Sequence, residues 1–512
     1  MEDVGGASAP ASDCIAGPPE DIWVRLKVEV SGVITRRMMV AGLLAGVAAP
    51  VRAEDLGTIR PRRRPDPASV SLGLVEAARL GGVTGFVVAD AVTGRVLQAS
   101  RADVAVPPAS VAKVVTAMFA LAKLGPAHRF VTQVMAVGPI RDGVLDGDLM
   151  LAGGGDPTLD TDHLGDLAAS LAATGLRRIT GRLLAATGAL PTIERIAADQ
   201  PDHVGYNPGL SGMNLNFNRV HFEWKRAQGD WALAMDARAE RFVPPVRMAR
   251  IAIVPREVPL FTLAVSDGRE DWTVAGAALR EDGSRWLPVR QPGVYTAEVF
   301  VTLCAAQGIA LPTAEIVGAP PAEARRIVEH WSAPLSDILQ GMLRFSTNVT
   351  AEAVGLTASG AGTLRGSGAV MRGWAARELG MNAQFADHSG LGSTSRVTAQ
   401  DVLGALLAGR GSGIAGLLRD VGVRDDKGAV IEGHPVTVRA KSGTLNFVSG
   451  LAGFISPPSG RDLCFAIFSA DVARREALVM ADREDPEGGV GWTRRARTLQ
   501  GQLIRRWAEA YG

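Results

Sequence analysis

Three short segments carry side chains whose types and spacing suit acyl chemistry. Ser110-Val-Ala-Lys113 opens an apolar helical run, VVTAMFALAKL, which Gly125-Pro126 stops. A spacing of three puts hydroxyl and amine one turn apart on one helix face. A serine hydroxyl becomes an effective nucleophile when a neighbouring base takes its proton, and a desolvated, neutral Lys can be that base. Moving a Lys from ~10.4 to ~7 requires ~4–5 kcal/mol of differential stabilisation, which burial and neighbouring charge can supply. Alone, the pair could also be a helix cap beside a solvated lysine.

Ser346-Thr347-Asn348 follows at a turn between helical stretches, with a hydroxyl that can relay a proton and an amide that can both donate and accept. Lys441-Ser442-Gly443-Thr444 begins a predicted β-hairpin; its glycine lets a substrate backbone approach and its lysine supplies positive charge for a carboxylate. Each segment alone could be an ordinary helix cap or strand end. Lysine usage adds weight. Of 54 basic residues only six are Lys (27, 113, 123, 225, 427 and 441), and two of these fall in the motifs. Arg keeps its proton at working pH whereas a buried Lys can lose one, so a retained Lys is informative.

In the order SxxK, SxN, K[ST]G the three segments resemble the penicillin-recognising serine enzymes. PPASVAKVVTAMFALAKLGPAHRF, GDLMLAGGGDPTL, LNFN at 215–218, DHSGLGSTSRVT and KSGTLNFVSGLAGF extend the likeness. Together they resemble the class C low-molecular-mass penicillin-binding proteins, which are D-alanyl-D-alanine carboxypeptidase/endopeptidases. The resemblance implies an α+β multidomain chain: a transpeptidase/β-lactamase-like domain, an antiparallel sheet covered by helices, split by nested, mainly β insert domains. Ser110 and Ser346 lie 236 positions apart, leaving room for inserts.

By resemblance, Ser110 is the acylated nucleophile, Lys113 its base and Ser346 the relay to the leaving D-alanine. Asn348 aligns the peptide amide. Lys441 holds the field around Ser346 and, with Thr444, receives the terminal carboxylate; Ser442 and Gly443 complete the substrate-binding set, and the N–H groups of Ser110 and Thr444 form the oxyanion hole. The implied partners are peptidoglycan stem peptides, with β-lactams as covalent inhibitors and neither cofactor nor metal. Three positions depart from the common pattern: Ser442 replaces a threonine, Thr347 fills the variable middle of SxN, and His388 stands where a glycine is frequent.

The elements that must position these groups fit 512 residues, 47% hydrophobic, enough for several domains. A net charge of +1 gives no reason to expect a nucleic-acid partner. Cys14, Cys304 and Cys464 have no metal-ligand spacing and build no disulfide framework. Residues 1–53 read as an extension plus export signal: Arg36-Arg37, an apolar run from Met38 to Val51 too short to span a bilayer, and Val51-x-Ala53 for cleavage. The arginine pair resembles a twin-arginine signal, which implies a periplasmic mature chain without a stable membrane span. A Pro/Arg-rich run, RPRRRPDP, follows as a linker. Residues 54–130 and 316–512 are expected to form two parts of the transpeptidase-like domain, with 131–315 as the inserts.

Weaker signals have plainer readings. Adjacent Asp387-His388-Ser389 cannot point at one another as a triad must. Gly411-Ser-Gly-Ile-Ala-Gly416 lacks the preceding strand of a dinucleotide site and reads as a turn into a helix. Asp156 in GGGDP reads as a turn residue. Glu378 with Asn382 has the spacing of a deacylating pair in class A β-lactamases, but Gly380 marks it as a helix end. The alternatives to a DD-peptidase are a β-lactamase, if Glu378 faces the site, and a catalytically silent cell-wall-binding protein.

Overall fold

In the computed structural model, which describes residues 67–279 and 281–512, the apolar runs near the two ends of the chain lie side by side. Val83–Asp90 and Leu463–Ala470 pair antiparallel within a six-stranded sheet. The order across it is Arg419–Asp420, Thr437–Leu445, Val448–Ser456, Leu463–Ala470, Val83–Asp90 and Val96–Ser100, antiparallel throughout. Val448–Ser456, Leu463–Ala470 and Val83–Asp90 read as nearly continuous apolar stretches because both faces are covered. Val87, Ala89, Cys464, Ala466 and Phe468 enter one core, and the alternate residues Phe86, Val88, Leu463, Phe465 and Ile467 enter the other.

The second face is covered by the C-terminal helix Gly489–Tyr511. It offers Trp492, Ala496, Leu499, Leu503 and Trp507, spaced to form one stripe and all fully buried. Each large side chain of that stripe contributes roughly 1.5–3 kcal/mol relative to exposure. The first face packs against the helices Ala112–Leu124, Leu335–Phe345, Asn348–Ser359, Leu364–Leu379 and Ala399–Ala408. The motif-bearing elements therefore meet on one side of one sheet, which requires the two ends of the chain to come together.

The middle of the chain builds separate sheets. Ala314–Val317, Leu183–Ala186, Asp148–Gly153, Val131–Val137 and Arg325–Trp331 form a five-stranded sheet in that order. Two of its pairings are parallel, and the helices Thr161–Ala173 and Pro292–Ala306 share its core. Two three-stranded sheets from residues 219–288 are nested within it. The inserts thus carry more helix than the alternating strand texture suggests, because Pro292–Ala306 is apolar nearly all round and offers no clear helical stripe. Arg325–Trp331 lies past the expected border at 315 yet pairs with Val131–Val137, so this sheet draws on both sides of that border.

The segment expected to be an export signal, with Arg36-Arg37, Cys14 and the Pro/Arg-rich run up to Asp66, lies outside the described residues. Among those described, no helix is long and apolar enough to cross a membrane. Cys304 and Cys464 are both buried free thiols.

Candidate active site

Ser110 sits in a single 3-10 turn, Ala109–Val111, that leads into the helix Ala112–Leu124. Pro107 and Pro108 cannot extend a helix backward, and Ala109 takes a left-handed backbone (φ 47°), so the chain turns sharply into Ser110. One turn later Lys113 is completely buried, with its Nζ 2.9 Å from Ser110 Oγ. Two further partners surround it: Asn348 Oδ1 at 2.7 Å and the Ser389 carbonyl at 2.9 Å. Burial lowers the Lys113 amine from 10.5 to about 7, against the opposing charges of Glu352 and Asp387. A large neutral fraction at working pH follows.

Ser346 closes the helix Leu335–Phe345 in a left-handed conformation (φ 62°), which turns its hydroxyl back toward the sheet. Lys441, buried on the strand Thr437–Leu445, donates to Ser346 Oγ at 2.9 Å and to the Ser442 carbonyl at 2.8 Å. Asn348 is the first residue of the helix Asn348–Ser359, and its Nδ2 donates to the Tyr206 carbonyl at 2.8 Å. Tyr206 and Lys113 therefore orient the amide: Nδ2 turns to Tyr206 and Oδ1 to Lys113, while the second N–H of Nδ2 is used by neither contact.

Gly443 shows why that position must lack a side chain. A Cβ there would lie 2.9 Å from both the Pro108 carbonyl and the Ser110 nitrogen, so the strand could not come so close to Ser110. On its outer side the strand pairs with Arg419–Asp420 only at Ala440 and Arg439. The edge from Ser442 to Leu445, with Thr444 exposed, is thus available to an extended peptide. Arg419 donates to Ser442 Oγ at 3.0 Å, giving the serine that replaces a threonine a defined orientation.

The motif residues fall into two contact groups, Ser110 with Lys113 and Asn348, and Ser346 with Lys441, which the short runs Ser346-Thr347-Asn348 and Lys441-Ser442-Gly443 tie together, Gly443 lying against the Ser110 backbone. The other signals resolve as structure. Glu378 is exposed at the end of Leu364–Leu379, which Gly380 caps at φ 66°, so the feature that would favour a β-lactamase is missing from the site. Asp156 accepts from Thr158 N and Oγ1 at 2.8 and 2.7 Å, a turn contact. Gly409–Ser412 and Ile414–Leu417 are short helical turns around Gly413. His388 is not part of a triad; its Nε2 lies 2.6 Å from Ser367 Oγ and its ring stacks on Phe119. Burial depresses it to about 3, so it stays neutral.

Sequence reasoning missed Glu352 and Tyr206. Glu352 is fully buried one turn after Asn348 on the same helix. A lone acid in the apolar run VTAEAVGLT was the available signal. Tyr206 contributes through its backbone carbonyl, for which no side-chain signal exists.

An α-helix-backed antiparallel sheet carrying a serine and lysine one turn apart, a second serine held by a second lysine, and a glycine pressed against the nucleophile defines a penicillin-binding serine peptidase. The chain belongs to the D-Ala-D-Ala carboxypeptidase 3 (S13) family, whose model matches residues 68–493. It is similar to the D-alanyl-D-alanine carboxypeptidase of Actinomadura sp. strain R39, with 29% identity covering 86% of this chain and 89% of that protein. A D-alanyl-D-alanine carboxypeptidase, DacB, of Haemophilus influenzae is 24% identical over 68% of this chain and 72% of its own length. In fold, the chain resembles penicillin binding protein 4 of Haemophilus influenzae, with a TM-score of 0.69, 20% identity, and coverage of 85% of this chain and 99% of that one.

Proposed function

We propose that this family member is an exported carboxypeptidase and endopeptidase that cuts peptidoglycan stem peptides through an acyl-enzyme on Ser110. The observation that carries the reading is the set of partners around Lys113. A neutral amine has two N–H groups and one lone pair. The carbonyl oxygens of Asn348 and Ser389 only accept, so they take both N–H groups, and the lone pair is left facing Ser110 Oγ. The serine O–H then donates to it, which is the geometry a general base needs.

In the first half-reaction Ser110 Oγ bonds to the carbonyl carbon of the penultimate D-alanine while its proton moves to Lys113. The N–H groups of Ser110 and Thr444 hold the oxyanion, each such donor being worth ~3–4 kcal/mol. The C–N bond then breaks, and the departing D-alanine nitrogen takes the Lys113 proton through Ser346 Oγ, whose orientation Lys441 fixes. Lys441 and Thr444 face the terminal carboxylate, and the free Asn348 N–H meets the preceding carbonyl. Water adds to the ester, Lys113 takes its proton, and Ser110 leaves with that proton restored. A cross-linked peptide differs only in what the departing amine carries. With a penicillin the departing nitrogen stays tethered to the acyl group, so the adduct persists and the drug inhibits.

The two end segments supply one six-stranded sheet, which supports reading 54–130 and 316–512 as parts of one domain around nested inserts; the pairing of Arg325–Trp331 favours a return to that domain after Trp331. Arg36-Arg37 before an apolar run supports export to the periplasm, checked by fractionating cells that express the tagged chain. For the chemistry, a diacyl-D-Ala-D-Ala peptide should release D-alanine. Intact mass after penicillin treatment should show one adduct on the wild type and none on Ser110→Ala. No release together with no adduct on the wild type would overturn the assignment.

A further inference from the structure

Lys113 takes one of its three partners from a segment without regular secondary structure, residues 387–392, and a carbonyl on such a segment is useful only if something fixes it. The fixing group is Glu352. Its two oxygens accept separately from the backbone nitrogens of His388, at 3.0 Å, and Ser389, at 2.8 Å. Thr116, one turn beyond Lys113, donates its hydroxyl to the His388 carbonyl at 2.7 Å. The peptide plane between residues 388 and 389 is thus held at its C=O by the nucleophile helix and at its N–H by the Asn348 helix. The next carbonyl along, Ser389 O, is the one that meets Lys113.

The rest of the loop closes around this clamp. Asp387 accepts from the nitrogens of Gly390 and Gly392, both at 2.6 Å. Gly390 (φ 76°) presses so tightly on Ala109 that a Cβ would lie 1.9 Å from its carbonyl oxygen. The His388 ring fills the space left by Gly355, where a Cβ would come within 2.2 Å of it. Packing alone would have allowed an apolar residue at 352. Instead the fold keeps a second acid beside Asp387 in a dry pocket, where burial and the neighbouring charge raise Glu352 above the usual carboxylate range while two backbone N–H groups oppose the shift.

We propose that Glu352 is a positioning residue for acylation, holding the Ser389 carbonyl where it takes one N–H of Lys113 and so aims the amine lone pair at Ser110. The inference rests on Lys113 being the base for Ser110. Substrate meets Asn348, Lys441 and Thr444, none of which Glu352 touches in this role, so its loss acts on kcat and leaves KM alone.

Glu352→Gln tests this. The amide keeps one accepting oxygen but turns an NH2 toward a backbone N–H, so one half of the clamp is lost. D-alanine release should fall about 10–100-fold in kcat, with KM within about twofold of wild type. Thr116→Val, which removes the hydroxyl on the other end of the same peptide plane, should lower kcat several-fold, again with KM unchanged. Trp507→Ala, a core truncation behind the sheet, is the reference for lost stability and should turn over at the wild-type rate per folded molecule. A wild-type kcat in both Glu352→Gln and Thr116→Val, or a loss that only tracks the folded fraction as in Trp507→Ala, overturns the proposal. If Glu352→Gln does not fold, Thr116→Val decides alone. Undiminished release by Lys113→Met would instead refute the underlying assignment of the base.

Discussion

The burial of Lys113 has to show in stability as well as in rate. Its amine falls from 10.5 to about 7 on folding, mainly because the site removes it from water. Between those pH values the unfolded chain holds a proton there that the folded chain has released. Stability must therefore rise with pH across this window, and the group is most costly below pH 7. At ~1.4 kcal/mol per pH unit the full cost is ~4–5 kcal/mol, and ~2 kcal/mol of it should be recovered between pH 7 and pH 9. Lys113→Met is the reference, since it keeps the length of the side chain and has no proton to exchange. Its three lost hydrogen bonds shift its stability by an amount independent of pH. Glu352, raised rather than lowered by burial, works in the opposite sense and is present in both proteins. Urea unfolding of both proteins from pH 7 to pH 9 should give a difference curve rising by ~2 kcal/mol. Acylation of the wild type by a fluorescent penicillin should rise along a limb centred near pH 7. A flat difference curve, or acylation that begins only above pH 9, would show that Lys113 remains charged and cannot be the base.

Two other substitutions read separate parts of the site. Asn348→Asp removes the donor that meets Tyr206 and the substrate, and places negative charge 2.7 Å from Lys113 Nζ. That charge favours the ammonium form, so the acid limb of acylation should move to higher pH, with kcat/KM down about 100-fold at pH 7. A limb that stays in place would count against the charge coupling. Gly443→Ala forces a Cβ to within 2.9 Å of the Pro108 carbonyl and the Ser110 nitrogen. The strand must retreat, costing about 1–3 kcal/mol of stability and at least tenfold in acylation. A variant with wild-type penicillin labelling would show that this close approach is dispensable.

The parts of the site that could be read from the chain are those in which chemistry and spacing are local. Ser110 and Lys113 lie on one helical turn, Ser346 and Asn348 flank one helix start, and Lys441 and Gly443 share one strand, so residue type and offset were informative. The long-range pieces left no such trace. Arg325–Trp331 looks like any half-buried strand, and only its pairing with Val131–Val137 shows which sheet owns it. Pro292–Ala306 is buried on most sides, so its apolar residues form no stripe to count.

The contacts that tune the base were hidden for a related reason. Both oxygens from outside the motifs that meet Lys113 or hold Asn348 belong to backbone, at Ser389 and Tyr206, and a backbone carbonyl carries no residue identity. Their placement is instead written in the residues that hold that backbone: Glu352 and Thr116 for Ser389, and Arg290, whose guanidinium grips the Asn207 and Asp202 carbonyls, for the segment bearing Tyr206. Each is a polar group in an apolar setting, where an unmatched charge or hydroxyl would cost several kcal/mol. A buried polar residue that grips a backbone segment therefore marks which backbone oxygen the site holds in place. By that criterion Glu352 belongs to the serine–lysine pair as much as to the helix that carries it.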